Sequence, residues 1–346
     1  MKHFLILFLL SIATISQAQL SHYNSDAYWS NFDFQSSQLQ PAHSDTCLVF
    51  VTNRHVQPDS LRFVDEFVDT CALKYLLLEK QEGKWKVYQG ASLEEVMALL
   101  PAKKDLVVYA EGMGKIFTSN VERALLMSTQ YQVNVIMFDY ASINTTYRPS
   151  RNFRFARENA ALSAAQYFAL LKQLQQARQQ HAPWLTGNKL SAFFHSMGNI
   201  ILEQMMLHEP VSELNSFPFI DNVVINAACV PQKHHARWVE QINFANKVYI
   251  HYNRKDFQLK GAHFLTMKKQ LGEKIRKPRA TNAMYVNFHD LVKWKHTYFL
   301  NMPDSSFIMP AQVAGYFSSL LKGNDAVLGK PNNSMLSQQS SHNKRL

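Results

Sequence analysis

The sequence predicts an α/β protein with a mostly parallel central sheet flanked by helices, and three observations carry that expectation. Apolar runs of strand length recur along the chain, helical stretches separate most of them, and the runs are continuous rather than alternating. Continuous runs are what strands buried on both faces require, and alternation with helices is how such strands are connected. Hydrophobic residues make up 47% of the 346, enough for one large domain.

Taken in order, residues 1–18 place Lys2 before an apolar run from Phe4 to Ile15 and end in Ser16-Gln17-Ala18. Small residues stand where a signal peptidase reads, so this is expected to be a cleaved signal and the mature protein to be secreted or periplasmic. The run falls short of the roughly 20 apolar residues a transmembrane segment needs, and no second one follows. Residues 19–45, rich in Ser, Gln and aromatics without a period, read as an irregular lead-in. The main domain is expected over 46–321. Its strands are Thr46–Thr52, the hairpin Lys74–Lys80 and Lys84–Tyr88 about Gln81-Glu82-Gly83, Asp105–Ala110, Val133–Phe138, Lys189–Phe194, Asp221–Asn226, Lys247–Tyr252 and Ala283–Phe288. Helices are expected from Ser92, an N-cap with Glu95 three residues on, to Leu100, over 121–130, as one long helix over 155–179, and over 199–208 and 238–244. Residues 322–346 lose their aromatics and fill with Asn, Ser, Gln and Lys, which predicts a disordered tail.

The formal charge is +10, with basic residues spread along the chain. No zinc-ligand spacing or RNA-binding aromatic motif accompanies them, so nucleic acid is not the expected partner. An acidic substrate or an anionic surface explains the charge as well. Of the three cysteines, Cys47 and Cys71 are the one pairing considered for a disulfide, against three small buried residues. His208, His234, His235 and His251 lack ligand spacing, and no Gly-rich nucleotide loop is present, so neither metal nor other cofactor is expected.

The chemistry centres on Phe194-His195-Ser196-Met197-Gly198. Ser196 falls between a predicted strand and a predicted helix, with Gly198 two residues on, and a sharp turn there would lift its oxygen clear of the sheet toward a helix N-terminus. Phe194 departs from the small residue that a nucleophile elbow prefers at this position. The segment resembles a family of largely uncharacterised bacterial α/β-hydrolases with an Ala-His-Ser-Met-Gly-Asn elbow. The resemblance continues through Phe50–Arg54, Tyr147 and the Arg-rich stretch after it, Asn222–Ala228, Tyr252–Asp256 and His296–Phe299, in order over roughly 47–300. Departures are Cys229-Val230 in place of Pro-Asp, and Glu111-Gly112 in place of His-Gly.

The resemblance implies the α/β-hydrolase fold and a serine hydrolase, esterase-like, acting through an acyl-enzyme. Chain order Ser, acid, His selects Asp256, after the strand ending at Tyr252, and His296, after the strand ending at Phe288. Asp139 is the rival acid, more readily read as a brace for the next loop. His195 is expected to point away from Ser196, and His251 and His289 to be strand histidines. The oxyanion hole is expected from the N–H groups of Met113 and Met197. Arg148, Arg151, Arg154 and Arg157 recur every third residue, either as a solvated face or as an anion-recognising rim in which Arg148 and Arg151 bind substrate. The expected substrate is a small-molecule or lipid-like ester, anionic on the rim reading. The alternative is a binding protein that kept the fold and lost activity, for which Phe194 and Glu111 speak.

Overall fold

The computed structural model describes residues 21–35, 39, 44, 46–56, 63–69, 72–101, 103–275, 279–303 and 305–329. The segment expected to be a signal, Cys71 and with it the pairing considered for Cys47, and the tail from 330 lie outside the described residues.

The chain is an α/β protein built on a ten-stranded mixed sheet with the order β1-β6-β5-β2-β8-β7-β9-β10-β11-β12. The strands are β1 (Phe32–Gln35), β2 (Cys47–Thr52), β5 (Lys74–Gln81), β6 (Lys84–Gly90), β7 (Leu106–Ala110), β8 (Asn134–Asp139), β9 (Leu190–His195), β10 (Ile220–Asn226), β11 (Ala245–Tyr252) and β12 (Ala283–Asn287). A separate ribbon pairs β3 (Arg54–Val56) with β4 (Phe63–Val68). The seven strands from β2 to β12 in sheet order are parallel, and β5 alone runs against the rest. Between β5 and β6, Glu82 and Gly83 both have positive φ, +50° and +83°, as a two-residue type I′ hairpin requires.

Nine α-helices complete the described residues: α1 (Asp26–Trp29), α2 (Leu93–Ala98), α3 (Phe117–Tyr131), α4 (Pro149–Leu162), α5 (Ala164–Gln179), α6 (Gly198–His208), α7 (Ala236–Val239), α8 (Phe257–Thr266) and α9 (Ala311–Leu321). Adjacent residues of β9 show how they divide between the two faces of the sheet. Phe193 packs on Phe317 of α9, while Phe194 packs on Tyr167 of α5 at 5.1 Å. Successive side chains of a strand point to opposite faces, so α9 and α5 cover opposite sides. The core between them is fully buried along β2, β7, β8, β9 and the inner part of β10.

Several expectations are corrected. Residues 19–45 are not wholly irregular, because α1 leads into β1, which extends the sheet beyond β6. The cause is a short aromatic pattern in which Trp29 and Phe32 bury against Phe117. The single helix over 155–179 is two, meeting at Ser163, and the first begins at Pro149, so the arginines lie at and on α4. A proline suits the first turn of a helix, where its missing N–H is not needed. The helix over 121–130 starts at Phe117, and that over 238–244 is only Ala236–Val239. Residues 257–266 and 311–321, given no helix above, form α8 and α9. Beyond 321 the chain still packs on the sheet: Asn222 Nδ2 donates to the carbonyls of Leu320 and Asn324 at 2.8 and 3.0 Å, and Ala326 is buried.

Candidate functional site

The strand order places the site. From β7 the chain crosses to β8 on one side, then returns to β9 on the other, so the connections after β7 and β9 part in opposite directions. Open parallel sheets hold their ligands at such a point, outside the carboxyl ends of the strands. Here the residues that follow are Glu111-Gly112 after β7 and Ser196 after β9.

Ser196 turns the strand into α6 with φ of +52°, a conformation rare for a residue with a side chain. The turn is clamped on all sides. Ser196 N donates to Asn226 O at 3.1 Å, while Cys229 N and Asn199 Nδ2 both donate to Ser196 O at 3.0 Å. Asn199 Nδ2 also reaches Phe194 O and Asn226 O, tying α6 to two strand ends. Such over-determination is what lets a strained residue persist. Close approach explains the glycines: a Cβ at Gly198 would stand 2.4 Å from Ala110 O, and one at Gly112 would stand 2.6 Å from Ser196 Cβ and 3.1 Å from its Oγ. The loop after β7 therefore lies directly on the serine. Phe194 does not crowd this turn, because its side chain faces α5.

Asp256 caps α8, its Oδ1 accepting from Leu259 N at 3.1 Å, and its Oδ2 bonds His296 Nδ1 at 2.6 Å. Both groups are buried. The loop carrying His296 is fixed by Asn253, whose Nδ2 donates to Lys293 O and Lys295 O at 2.8 and 3.1 Å. The His296 ring lies 4.7 Å from that of His195, the neighbour of Ser196, so the structure gathers Ser196, Asp256 and His296 at one end of the sheet. Among the described residues His296 Nε2 is buried without a hydrogen-bond partner, as are His195 Nε2 and Tyr140 Oη. Unsatisfied buried polar atoms call for an explanation, and a bound substrate is one.

The loop Glu111–Gly114, expected to supply an oxyanion donor, is held by Gly114 N donating to Ser142 O at 3.1 Å and by Gly112 N donating to Glu111 Oε1 at 2.7 Å. Met113 N, between them, makes no hydrogen bond among the described residues, nor does Met197 N at the start of α6. Both expected donors are therefore unspent.

His195 carries a network that the sequence did not suggest: its ring lies on the α9 face, with Nδ1 bonded to Glu111 Oε1 and the ring 4.9 Å from Phe299. Glu111 in turn takes Arg123 of α3 at 3.0 Å and the hydroxyl of Tyr109. Burial by itself would raise the Glu111 pKa, but His195 and Arg123 together outweigh it and hold the carboxyl well below its ordinary range. For His195 burial dominates and lowers its pKa. Sequence reasoning missed this network, because Glu111 and His195 meet only where β7 and β9 lie side by side.

Asp139 is consumed elsewhere. Its carboxylate bonds the fully buried Arg54 at 2.7 and 3.0 Å, Thr52 at 3.0 Å and Asn120 at 2.5 Å, a brace rather than a triad acid. Arg148, Arg151 and Arg154 are exposed, and Arg151 stacks on Tyr147 at 3.6 Å. His251 is a buried strand histidine between Asn226 and Tyr316, and His289 is half-buried. Among the described residues no cluster of three His, Cys, Asp or Glu could hold a metal. No helix among them is long and apolar enough to cross a membrane.

No family model matches this sequence, and no curated protein or solved structure matches it.

Proposed function

We propose that the chain is a serine hydrolase of α/β-hydrolase fold that cleaves esters through an acyl-enzyme, related to the bacterial family its elbow resembles. The observation that supports this reading is the buried Asp256–His296 pair, whose ring lies 4.7 Å from that of His195, the residue before a strained, clamped serine on which the Gly112 loop rests. In this reading Ser196 Oγ attacks the ester carbonyl while its proton passes to His296 Nε2. Asp256 fixes the Nδ1–H tautomer and stabilises the imidazolium. The N–H groups of Met113 and Met197 face the developing oxyanion. The proton then leaves with the alcohol, and water repeats the sequence on the acyl group. Among the described residues the Ser196 hydroxyl makes no hydrogen bond, and catalytic hydrogen bonds often tighten only on substrate binding.

A fluorophosphonate tests these parts together, since it bonds only to a serine with a working base and oxyanion hole. Labelling is expected at Ser196 and absent in Ser196→Ala; a folded wild-type protein that resists the reagent would favour the binding-protein reading. We also propose export, with the mature chain starting at Gln19, which N-terminal sequencing of the secreted or periplasmic fraction checks.

A further inference from the structure

The outward face of α8 has the wrong chemistry for a helix surrounded by water. Leu259 and Ala262 face inward and are buried, as they should be. A surface helix then presents polar residues on the other side. Here Phe257, Lys260, Phe264 and Met267 follow one another at helical spacing on the exposed side, with Leu265 beside them. Phe264 is 61% exposed, Leu265 54% and Met267 83%. Trp294 adds a sixth element, at 53% exposure, from the loop that Asn253 ties to the start of this helix.

The charge around these side chains is mostly positive, with Glu273 on His263 and Asp290 as the exceptions. Segments 254–269 and 289–295 hold seven Lys and Arg residues, against Asp256, which is buried on His296, and Asp290 as the one exposed acid. Lys260 lies over the Phe257 ring at 5.3 Å and Lys295 over the Trp294 ring at 4.5 Å, so cations and apolar groups are interleaved rather than segregated. Scattered exposed apolar residues need no explanation, but a contiguous group on one helix and its neighbouring loop does. Apolar side chains, including a Trp, among lysines are the features with which a helix settles into the headgroup region of an anionic bilayer.

We propose that this face docks on an anionic lipid bilayer. The two segments that form it adjoin the proposed catalytic base and the acid that orients it: Asp256 at the start of α8 and His296 directly after Lys295. Docking thus brings the mouth of the site to the interface, and the substrate class becomes ester-bearing lipid. That last step rests on the hydrolase reading; the docking does not.

The test uses the whole mature chain with phosphatidylcholine vesicles, with and without phosphatidylglycerol, in wild-type and Ser196→Ala forms. Trp29, Trp85, Trp184 and Trp238 are buried, so a change in tryptophan emission on binding reports Trp294. Expected are co-sedimentation with anionic vesicles about tenfold or more above neutral ones, loss of binding in high salt, and a blue shift quenched by lipids brominated in the acyl chain. Phe264→Ser with Met267→Ser, and separately Lys260→Glu with Lys268→Glu, should each abolish binding while leaving turnover of a short soluble ester unchanged. Equal binding to both vesicle types, or binding that survives both pairs, overturns the proposal. So does self-association of the wild type that the Ser pair reverses, because a second copy then covers the face. Vesicle binding by a protein that fluorophosphonate cannot label would sustain the docking and defeat the hydrolase reading.

Discussion

Asp256 and Glu111 each bond the Nδ1 of a histidine at the same end of the sheet, and the two rings, His296 and His195, lie 4.7 Å apart, but their surroundings differ. Asp256 spends its second oxygen on one helix N–H. Glu111 is also bound by an arginine, a tyrosine hydroxyl and the N–H of its own neighbour. His296 stands on a loop, where small adjustments toward a substrate are cheap; His195 is the last residue of a strand whose register with β10 is set. A carboxylate–imidazole pair is therefore not a sufficient mark of a general base. What distinguishes the two is how much of the carboxylate is already committed and whether the ring is anchored in a strand. On that comparison the hydrolase reading proposed above assigns Glu111–His195 to positioning the loop over Ser196 and Asp256–His296 to proton transfer.

The largest effect separates the pairs by activity. His296→Ala should lower the fluorophosphonate labelling rate per folded molecule by about 10⁴-fold or more. Asp256→Asn should fall in the same direction through the wrong imidazole tautomer. Asp139→Asn gives the opposite profile: it takes away the carboxylate charge that the buried Arg54, Thr52 and Asn120 share, so urea unfolding should show a loss of roughly 3–5 kcal/mol while labelling per folded molecule stays within about threefold. Labelling that tracks Asp139 rather than Asp256 would reverse the assignment of the acid.

The intermediate effect tests the positioning role. Glu111→Gln deprives buried Arg123 of its counter-charge and loosens the grip on Gly112 N and His195, so both properties should change together. Stability should drop by roughly 3–5 kcal/mol. At a temperature where the variant is still folded, kcat should fall about 10- to 100-fold with KM little changed, because a misplaced oxyanion donor acts on the transition state alone. A stability loss with unchanged kcat would make the network purely structural.

The same contrast explains what could be read in advance. Ser196, Asp256 and His296 announce themselves locally, each standing just past a β-branched or aromatic run, in the chain order that a triad on such a sheet demands. The Glu111–His195 pair has no local signature: its members are 84 positions apart and meet only because β7 and β9 are neighbours, and sheet order is not written in any one segment. The break at Ser163 was hidden because a serine is nearly neutral inside a helix. For α8 the obstacle was composition, since its outer face carries phenylalanine and methionine where a surface helix should be polar, and its hydrophobic period is blurred.

A third imidazole offers the finest measure of what a carboxylate does for its partner. His251 is fully buried with no acid beside it, its Nδ1 on Asn226 Oδ1 at 3.1 Å and its Nε2 on the Tyr316 hydroxyl at 2.8 Å. Burial pushes its pKa down to about 3, so it stays neutral in the folded chain. In the unfolded chain it titrates near 6.5. Its contribution to stability is therefore complete above about pH 6.5 and shrinks as pH falls toward 3, because only the unfolded state takes up the proton. Across that window the wild type should lose about 1.4 kcal/mol per pH unit relative to His251→Gln, which keeps hydrogen-bonding groups but does not titrate. Urea unfolding of both proteins at pH 7.5, 6 and 5 checks this: curves that converge on acidification support a neutral, uncompensated imidazole, whereas curves that run parallel would mean that His251 carries its proton in the folded chain and has found a charge partner after all.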